Sequence, residues 1–264
     1  VRRLRRLLHK SATREADGAF VAEGIELVRT ALESGAPVQT VFVAAEASGD
    51  PTVEDLLVWA EGAGARISVL APGVLAKVAD TVTPQPVMAV VAREPAPLAQ
   101  ATAEATLVVA LSGVRDPGNA GTVLRSAEAA GADAVVFGDT SVDPWNPKTV
   151  RASAGAIFQL PVAEVSDVPA ALATLRPRCR ILGAVVRGGT DYLEVDWTEP
   201  SVLVLGNEAA GLSPAVLEVL DEAVAVPMAG RAESLNVGVA CAVFCFEALR
   251  QRRRAGGGPE AHGP

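Results

Sequence analysis

Cysteine is scarce. Three thiols in 264 residues, Cys179, Cys241 and Cys245, are too few and too unevenly placed for a disulfide framework. Long apolar runs are missing as well. TLVVALSG, SVLVLG and VGVACAVFCF fall well short of the roughly 20 residues needed to span a bilayer. No signal-peptide pattern opens the chain, because VRRLRRLLHK has charge without a following apolar core. These absences predict a soluble, cytoplasmic protein with no membrane partner. No combination of His, Cys and carboxylates reads as a metal site. Cys241 and Cys245 share a helix face at i, i+4 with no His or third Cys near them, and read as small core residues.

Positive charge is lacking overall, since the formal net charge is −8. That excludes a wholesale nucleic-acid coat but not local patches. Arg2, Arg3, Arg5, Arg6, Lys10 and Arg14 all precede the first acid, Glu15, while Arg250, Arg252, Arg253 and Arg254 close the last helix. These basic ends are either solvated termini or local RNA or phosphate contacts.

What is present is a chain half hydrophobic by composition, long enough for a sizeable core and one or two domains. The stretch REPAPLAQATAEAT, residues 93–106, reads as a linker between two halves. In residues 1–92 a helix is predicted from Gly24 to Ser34, followed by VQTVFVAA as a strand and PTVEDLLVWAEGAG as a helix. RISVLA, GVLAKVAD and PVMAVVAR continue the alternation as strand, helix and strand. In residues 107–254, strands are predicted at LVVALSG, AVVFGD, RILGAVV, SVLVLG and Ala223–Val226. Helices are predicted after Gly118, over 152–158, 167–175 and 214–220, and from Leu235 to Arg253. Continuous apolar strands are buried on both faces, as in a parallel sheet covered by helices, so the class is α/β. Residues 255–264, AGGGPEAHGP, read as a disordered tail.

Three motifs in the second half stand at strand-to-helix junctions, where ligands of open α/β sheets bind. In VRDPGNAGTVLRSAEAAG, Asn119 reads as the helix N-cap. A helical wheel sets Val123, Ala127 and Ala130 inward, and Thr122, Arg125, Ser126 and Ala129 outward. The arrangement suits an anion beside free N–H groups and a guanidinium, or simply a capped surface helix. G-x-G-x-x-G is absent and no Lys-Ser/Thr follows the glycines, so both nucleotide fingerprints fail. In VLVLGNEAAGLSP a buried strand ends at Gly206 and is followed by Asn207, Glu208 and Gly211. Ser213 and Pro214 then have the grammar of a helix start. In VAVPMAGRAESLNVGVACAVFCFEALRQRRR, Ser234 and Asn236 open a helix that is apolar nearly all round, which predicts burial on several sides, including against another subunit.

Taken in order, DPGNAGTVLRSAEAAGA, LGNEAAGLS and VPMAGRAESLNVGVACAV resemble the SpoU (TrmH) family, RNA 2′-O-ribose methyltransferases of the SPOUT superfamily. The first half resembles that family's ribosomal-protein-like RNA-binding domain, with FVAEGIELVRTAL matching its opening helix. The resemblance implies a catalytic domain with a deep trefoil knot, a homodimer, and S-adenosylmethionine as methyl donor without metal. It implies donor contacts at Gly206, Val226 and Leu235, with Leu205, Gly211, Met228 and Ser234 nearby and Val186, Arg187 and Gly188 at the adenosine. It implies Asn119, Arg125, Glu208, Ser234 and Asn236 as the catalytic polar set, with Arg125 reaching the partner's donor. Arg125 is then a deprotonated base, a cation that lowers the hydroxyl pKa, or a phosphate clamp. The substrate expected is large-subunit ribosomal RNA, with transfer RNA as the alternative and a non-catalytic RNA-binding protein as a further one. Contacts are expected at the first ten residues, the first domain, and Lys148 and Arg151, in a segment whose helix Ser141 or Asp143 would cap.

Overall fold

The computed structural model describes residues 1–79, 83–138 and 140–256. Asp80 and Asp139, which end two predicted elements, lie outside the described residues, as does 257–264 of the predicted tail. Ala255 caps the last helix and Gly256 follows it. Among the described residues no helix is long and apolar enough to cross a membrane.

The chain divides into two compact units, Val1–Glu94 with Trp145–Gln159, and the remainder. In the first unit, helices α1 (Arg2–His9) and α2 (Ser11–Asp17) lie in a stretch with no element predicted. Strand β1 (Ala19–Glu23) takes the first residues of FVAEGIELVRTAL, which the resemblance implied as an opening helix, and Gly24, with φ +110°, separates that strand from the helix after it. Helix α3 (Ile25–Glu33), β2 (Val38–Ala44), α4 (Pro51–Gly62), β3 (Arg66–Leu70), α5 (Val74–Val78) and β4 (Val87–Ala92) follow, close to the predicted bounds. The sheet order is β1-β4-β2-β3, with β4 antiparallel to both β1 and β2 and β2 parallel to β3.

Strand β1 is buried on both faces. Ala19 and Val21 meet the apolar stripe of α1, Leu4, Leu7 and Leu8. Phe20 faces the other way and meets Trp145 and Phe158, with ring centroids 4.9 and 5.9 Å away. Trp145–Gln159 thus completes the first unit's core, although it follows the linker in sequence. The predicted helix over 152–158 is instead α8 (Pro147–Ala152) and a short 3₁₀ turn at Ala156–Phe158, because Ala154 and Gly155 adopt positive φ between them. Asn146 caps α8, with Oδ1 accepting from Lys148 N–H, so neither Ser141 nor Asp143 does.

The second unit runs α6 (Leu98–Ala101), β5 (Leu107–Ser112), α7 (Pro117–Ala129), β6 (Ala134–Gly138), β7 (Val162–Val165), α9 (Val168–Leu175) and β8 (Arg180–Ala184). It then continues through β9 (Thr190–Asp191), β10 (Ser201–Gly206), α10 (Pro214–Leu217), β11 (Glu222–Ala225) and α11 (Val237–Arg254). The predicted linker is not structureless, since Leu98 and Ala101 of α6 pack on the core beside β7. Strands β7 and β9 match no predicted strand: the four residues of β7 include the exposed Glu164, and the two of β9, Thr190 and Asp191, are both polar, so neither reads as an apolar run.

The seven strands are parallel in the order β7-β6-β5-β10-β8-β11-β9. Two late strands therefore enter between earlier ones, β10 between β5 and β8, and β11 between β8 and β9. Leu172, Leu175 and Val216 of α9 and α10 cover one face of the sheet, and α7 and α11 pack together on β6 and β10.

Both basic ends are partly structural. Arg14 is buried and donates to the Leu7 carbonyl at 2.7 Å. Arg252 is 7 % exposed and donates to the carbonyls of Trp197 and Thr106, each at 2.8 Å. Neither is available to RNA. Arg2, Arg5 and Arg6 remain exposed on α1.

Candidate functional site

Everything in the site belongs to the second unit. The local chain geometry comes first. Strand β10 ends at Gly206, where a Cβ would lie 2.5 Å from the backbone carbon of Gly211, so only glycine fits. The turn folds back on itself: the backbones of Asn207 and Gly211 exchange hydrogen bonds at 3.0 and 2.9 Å. Asn207 Oδ1 accepts from the N–H groups of Ala209 and Ala210, and its Nδ2 donates to the Gly113 carbonyl at 2.8 Å. Gly211 has φ +71°, which suits glycine there. Ser213 caps α10 and Pro214 is its first residue, as the sequence predicts.

The N-cap of α7 is Asp116, whose Oδ1 accepts from Asn119 N–H at 2.8 Å, not Asn119 itself. Asn119 lies in the first turn, where its side chain is free for other work. The wheel of α7 holds with one exception: Val123, Ala127 and Ala130 are buried and Thr122, Arg125 and Ala129 are exposed, but Ser126, also placed outward, is half-buried. Helix α11 is capped by Asn236, whose Oδ1 accepts from the N–H groups of Gly238 and Val239. A Cβ on Gly238 would come within 2.7 Å of Thr122 Cγ2, so glycine there lets the starts of α7 and α11 approach closely.

That approach joins three predicted residues in a chain. Asn236 Nδ2 donates to Asn119 Oδ1 at 2.8 Å, and Asn119 Nδ2 donates to Glu208 Oε1 at 2.9 Å. The direction is imposed by the helix. Its unpaired N–H groups require an acceptor, so Asn236 must turn its amide nitrogen outward. Asn119 then presents its oxygen to Asn236 and its nitrogen to Glu208, whose carboxylate is the natural terminal acceptor.

These three side chains line a cavity of about 680 Å³ at the carboxyl ends of β8, β10 and β11. Of the predicted donor contacts, Val186, Leu205, Gly206 and Gly211 line it, as do Val226, Met228, Ser234 and Leu235. Arg187 and Gly188 do not. They line an adjoining hollow that shares Val186, Val226 and Met228 with the cavity, and Arg187 stands 3.9 Å from Glu233 in an exposed ion pair. Arg125 does not line the cavity either and stays on the exposed face of α7.

Sequence reasoning missed the apolar wall from α11, formed by Val237, Ala240 and Phe244. Their three- and four-residue spacing was visible, but it reads equally as core. The cavity's charged lining residues are Glu208 and Glu233, with no Lys or Arg among them. Carboxylates, apolar walls and bare backbone at Gly206 suit a cation-bearing ligand with a flat apolar part, and the volume lies in the usual range of ligand pockets. No group of three or more metal-ligating side chains occurs among the described residues. Cys241 and Cys245 are buried with sulfurs 3.7 Å apart, and their mutual hydrogen bond, together with burial, pushes the Cys241 thiol well up, as for inert core thiols.

Within a single chain helix α11 is buried on only part of its circumference. Val239 and Phe246 are 47 and 48 % exposed, with Ala242 and Val243 half-buried between them. Its charged Glu247 and Arg252 are buried instead.

Comparison with known proteins places this geometry. Residues 106–246 match a sequence model of the SpoU rRNA Methylase family, and residues 1–89 match one of the MRM3-like substrate binding domain. The chain is 35 % identical over 240 residues to a 23S rRNA (guanosine(2553)-2′-O)-methyltransferase, RlmP of Bacillus subtilis, covering 90 % of this chain and 92 % of that one. It is 31 % identical over 254 residues to a 23S rRNA (uridine(2479)-2′-O)-methyltransferase of Streptomyces viridochromogenes, covering 93 and 88 %. The solved structure of the SpoU methyltransferase AviRb from the same organism, in complex with the cofactor AdoMet, superposes with a TM-score of 0.85. It is 30 % identical, and the match covers 96 % of this chain and 98 % of that one.

Proposed function

This chain belongs to the SpoU rRNA methylase family, and we propose that it transfers a methyl group from S-adenosylmethionine to a ribose 2′-oxygen of large-subunit (23S) ribosomal RNA. The observation that carries the reading is the Asn236–Asn119–Glu208 chain on the wall of a carboxylate-lined cavity. Two relatives are named for different nucleotides, a guanosine and a uridine, but share the 23S molecule and the ribose oxygen. What they have in common is therefore the ribose chemistry, and base choice lies outside it.

The cavity fits the donor. Glu208 and Glu233 offset the positive charge of a sulfonium and an ammonium, Leu205, Val226, Leu235 and Phe244 offer apolar surface to an adenine, and Gly206 leaves its backbone open. S-adenosylmethionine supplies an activated methyl, its sulfur leaving as a neutral thioether, so the protein has only to align the 2′-oxygen and remove its proton. Asn119, fixed by Asn236 and Glu208, holds its amide at the cavity wall, where it can orient the ribose. A guanidinium has a pKa above about 12 and is a poor base. Arg125 therefore acts as a cation, stabilising the developing alkoxide and helping to hold the adjoining phosphate from the side of the ribose.

Arg125 acts on the cavity of a second copy of the chain. The exposed Val239 and Phe246, with Ala242 and Val243 between them, form an apolar stripe on α11, and α11 packs against the helix that carries Arg125. A homodimer burying that stripe brings Arg125 to its partner's site.

The test uses the full chain, donor labelled in the methyl group, and 23S, 16S and transfer RNA as separate substrates, with alkali-resistant mapping of the product. Label confined to a ribose of 23S RNA is expected. Label on a base, or on transfer RNA alone, would overturn the assignment.

A further inference from the structure

A second hollow, of about 620 Å³, lies beside the donor cavity. Asn207, Ala210, Gly211 and Leu212 line both spaces, so a single turn of chain divides them. The hollow opens at the carboxyl ends of β5, β7 and β10. Between β5 and β10 the strand order reverses, which is where open parallel sheets form their binding crevice.

The two spaces differ in charge. The donor cavity has carboxylates and no cation, whereas Arg115 lines the hollow. Arg115 is exposed and makes no ion pair with any described residue. The hollow's acidic residue, Asp167, is already committed: its Oδ1 accepts from Ala170 N–H at 2.9 Å as the cap of α9. Ser112, Ser166 and Ser213 add neutral polar groups.

The loop bearing Arg115 is held on both sides. The Gly113 N–H donates to Ser141 Oγ at 3.0 Å, and the Gly113 carbonyl accepts from Asn207 Nδ2 at 2.8 Å. Asp116, next in sequence, caps α7 and binds the N–H of Asn119. One short, well-anchored segment thus presents Asn119 to the donor cavity and Arg115 to the hollow.

We propose that the hollow receives the nucleotide adjoining the methylated ribose, and that Arg115 grips its phosphate as a positioning residue. The inference rests on the ribose-methylation reading above. A ribose whose 2′-oxygen reaches the donor carries a phosphodiester on the neighbouring carbon. Carboxylates repel that anion from the donor cavity, and a planar guanidinium across the dividing turn accepts it in a bidentate manner.

The experiment compares wild type with Arg115→Ala and Arg115→Lys in the full chain. Calorimetry with S-adenosylmethionine reads the donor site, and steady-state methylation of 23S RNA at several salt concentrations reads the hollow. For Arg115→Ala the donor Kd and the melting temperature stay unchanged, KM for RNA rises about tenfold, and kcat moves less than KM. The slope of log affinity against log salt falls by about 0.7–0.9, as for one lost phosphate contact. Arg115→Lys recovers part of the loss. Unchanged KM and salt slope in Arg115→Ala, with wild type active, would overturn the role of Arg115 alone. Wild type that binds no donor or methylates no ribose would overturn the functional reading, and this inference with it.

Discussion

The amide nitrogen of Asn236 donates to the Asn119 side-chain oxygen at 2.8 Å, while the Asn236 oxygen caps the helix on which it stands. One side chain thereby ties the start of α11 to the start of α7 and fixes which way Asn119 points. Asn236→Asp keeps the cap, because Asp serves at that position as well as Asn, but cannot donate to Asn119. Its melting temperature should stay near that of wild type while methyl transfer falls at least roughly tenfold. Asn236→Ala should lose activity and also about 1 kcal/mol of stability. Thermal melts beside a methyl-transfer assay separate the two roles, and full activity in Asn236→Asp would sink the orienting one.

Arg125 lies on the exposed face of α7, outside its own cavity. Arg125→Ala should lower turnover by roughly 100-fold or more and leave donor binding intact. If it serves the partner's site, co-expressing Arg125→Ala with Glu208→Ala should restore about a quarter of wild-type activity. Half the dimers then carry one intact site of two. No recovery in that mixture would place Arg125 in its own chain's site.

Gly206 faces the Gly211 backbone with no room for a methyl group. Gly206→Ala must shift the turn that carries Asn207 and Glu208. Donor affinity, measured by calorimetry, should drop by about tenfold or more, and an unchanged Kd would show that this turn does not shape the donor site.

Trp145 is buried against Phe20 and comes from the segment that rejoins the first unit. Trp145→Ala should destabilise that unit by about 3–5 kcal/mol. Hydrogen exchange should then quicken in β1 and β4 while the strands of the parallel sheet keep their protection.

Glu247 is 6 % exposed and receives two hydrogen bonds from Arg250, at 2.6 and 2.7 Å, and one from Gln251. The Arg250 hydrogen bonds, aided by Gln251, hold its carboxyl below the usual glutamate range. A carboxyl depressed in the folded state stabilises above its unfolded pKa and loses that contribution as pH falls through the folded value. Glu247→Gln should therefore cost about 1–3 kcal/mol at neutral pH and progressively less below the ordinary glutamate pKa. Denaturant melts at several pH values check this, and a deficit that does not shrink in acid would contradict it.

The sequence by itself determined the class and most of the second unit, because buried parallel strands read as continuous apolar runs and α7 keeps a clean helical period. Asn119, Glu208 and Asn236 stand out as a set only through the resemblance of their motifs to the SpoU family, because residue by residue they read equally as caps and turn residues. Only the tertiary structure decided what those residues do. The Asn119–Glu208 and Asn119–Asn236 contacts join positions 89 and 117 residues apart, which no local pattern encodes. The same holds for Arg14 and Arg252, which look like solvated charge in sequence but are drawn inward by backbone carbonyls. It holds too for Trp145–Gln159, whose unit is set by the apolar face it covers and not by its place in the chain. Periodicity reports which side of an element is buried. What covers that side depends on contacts that only the folded chain brings together.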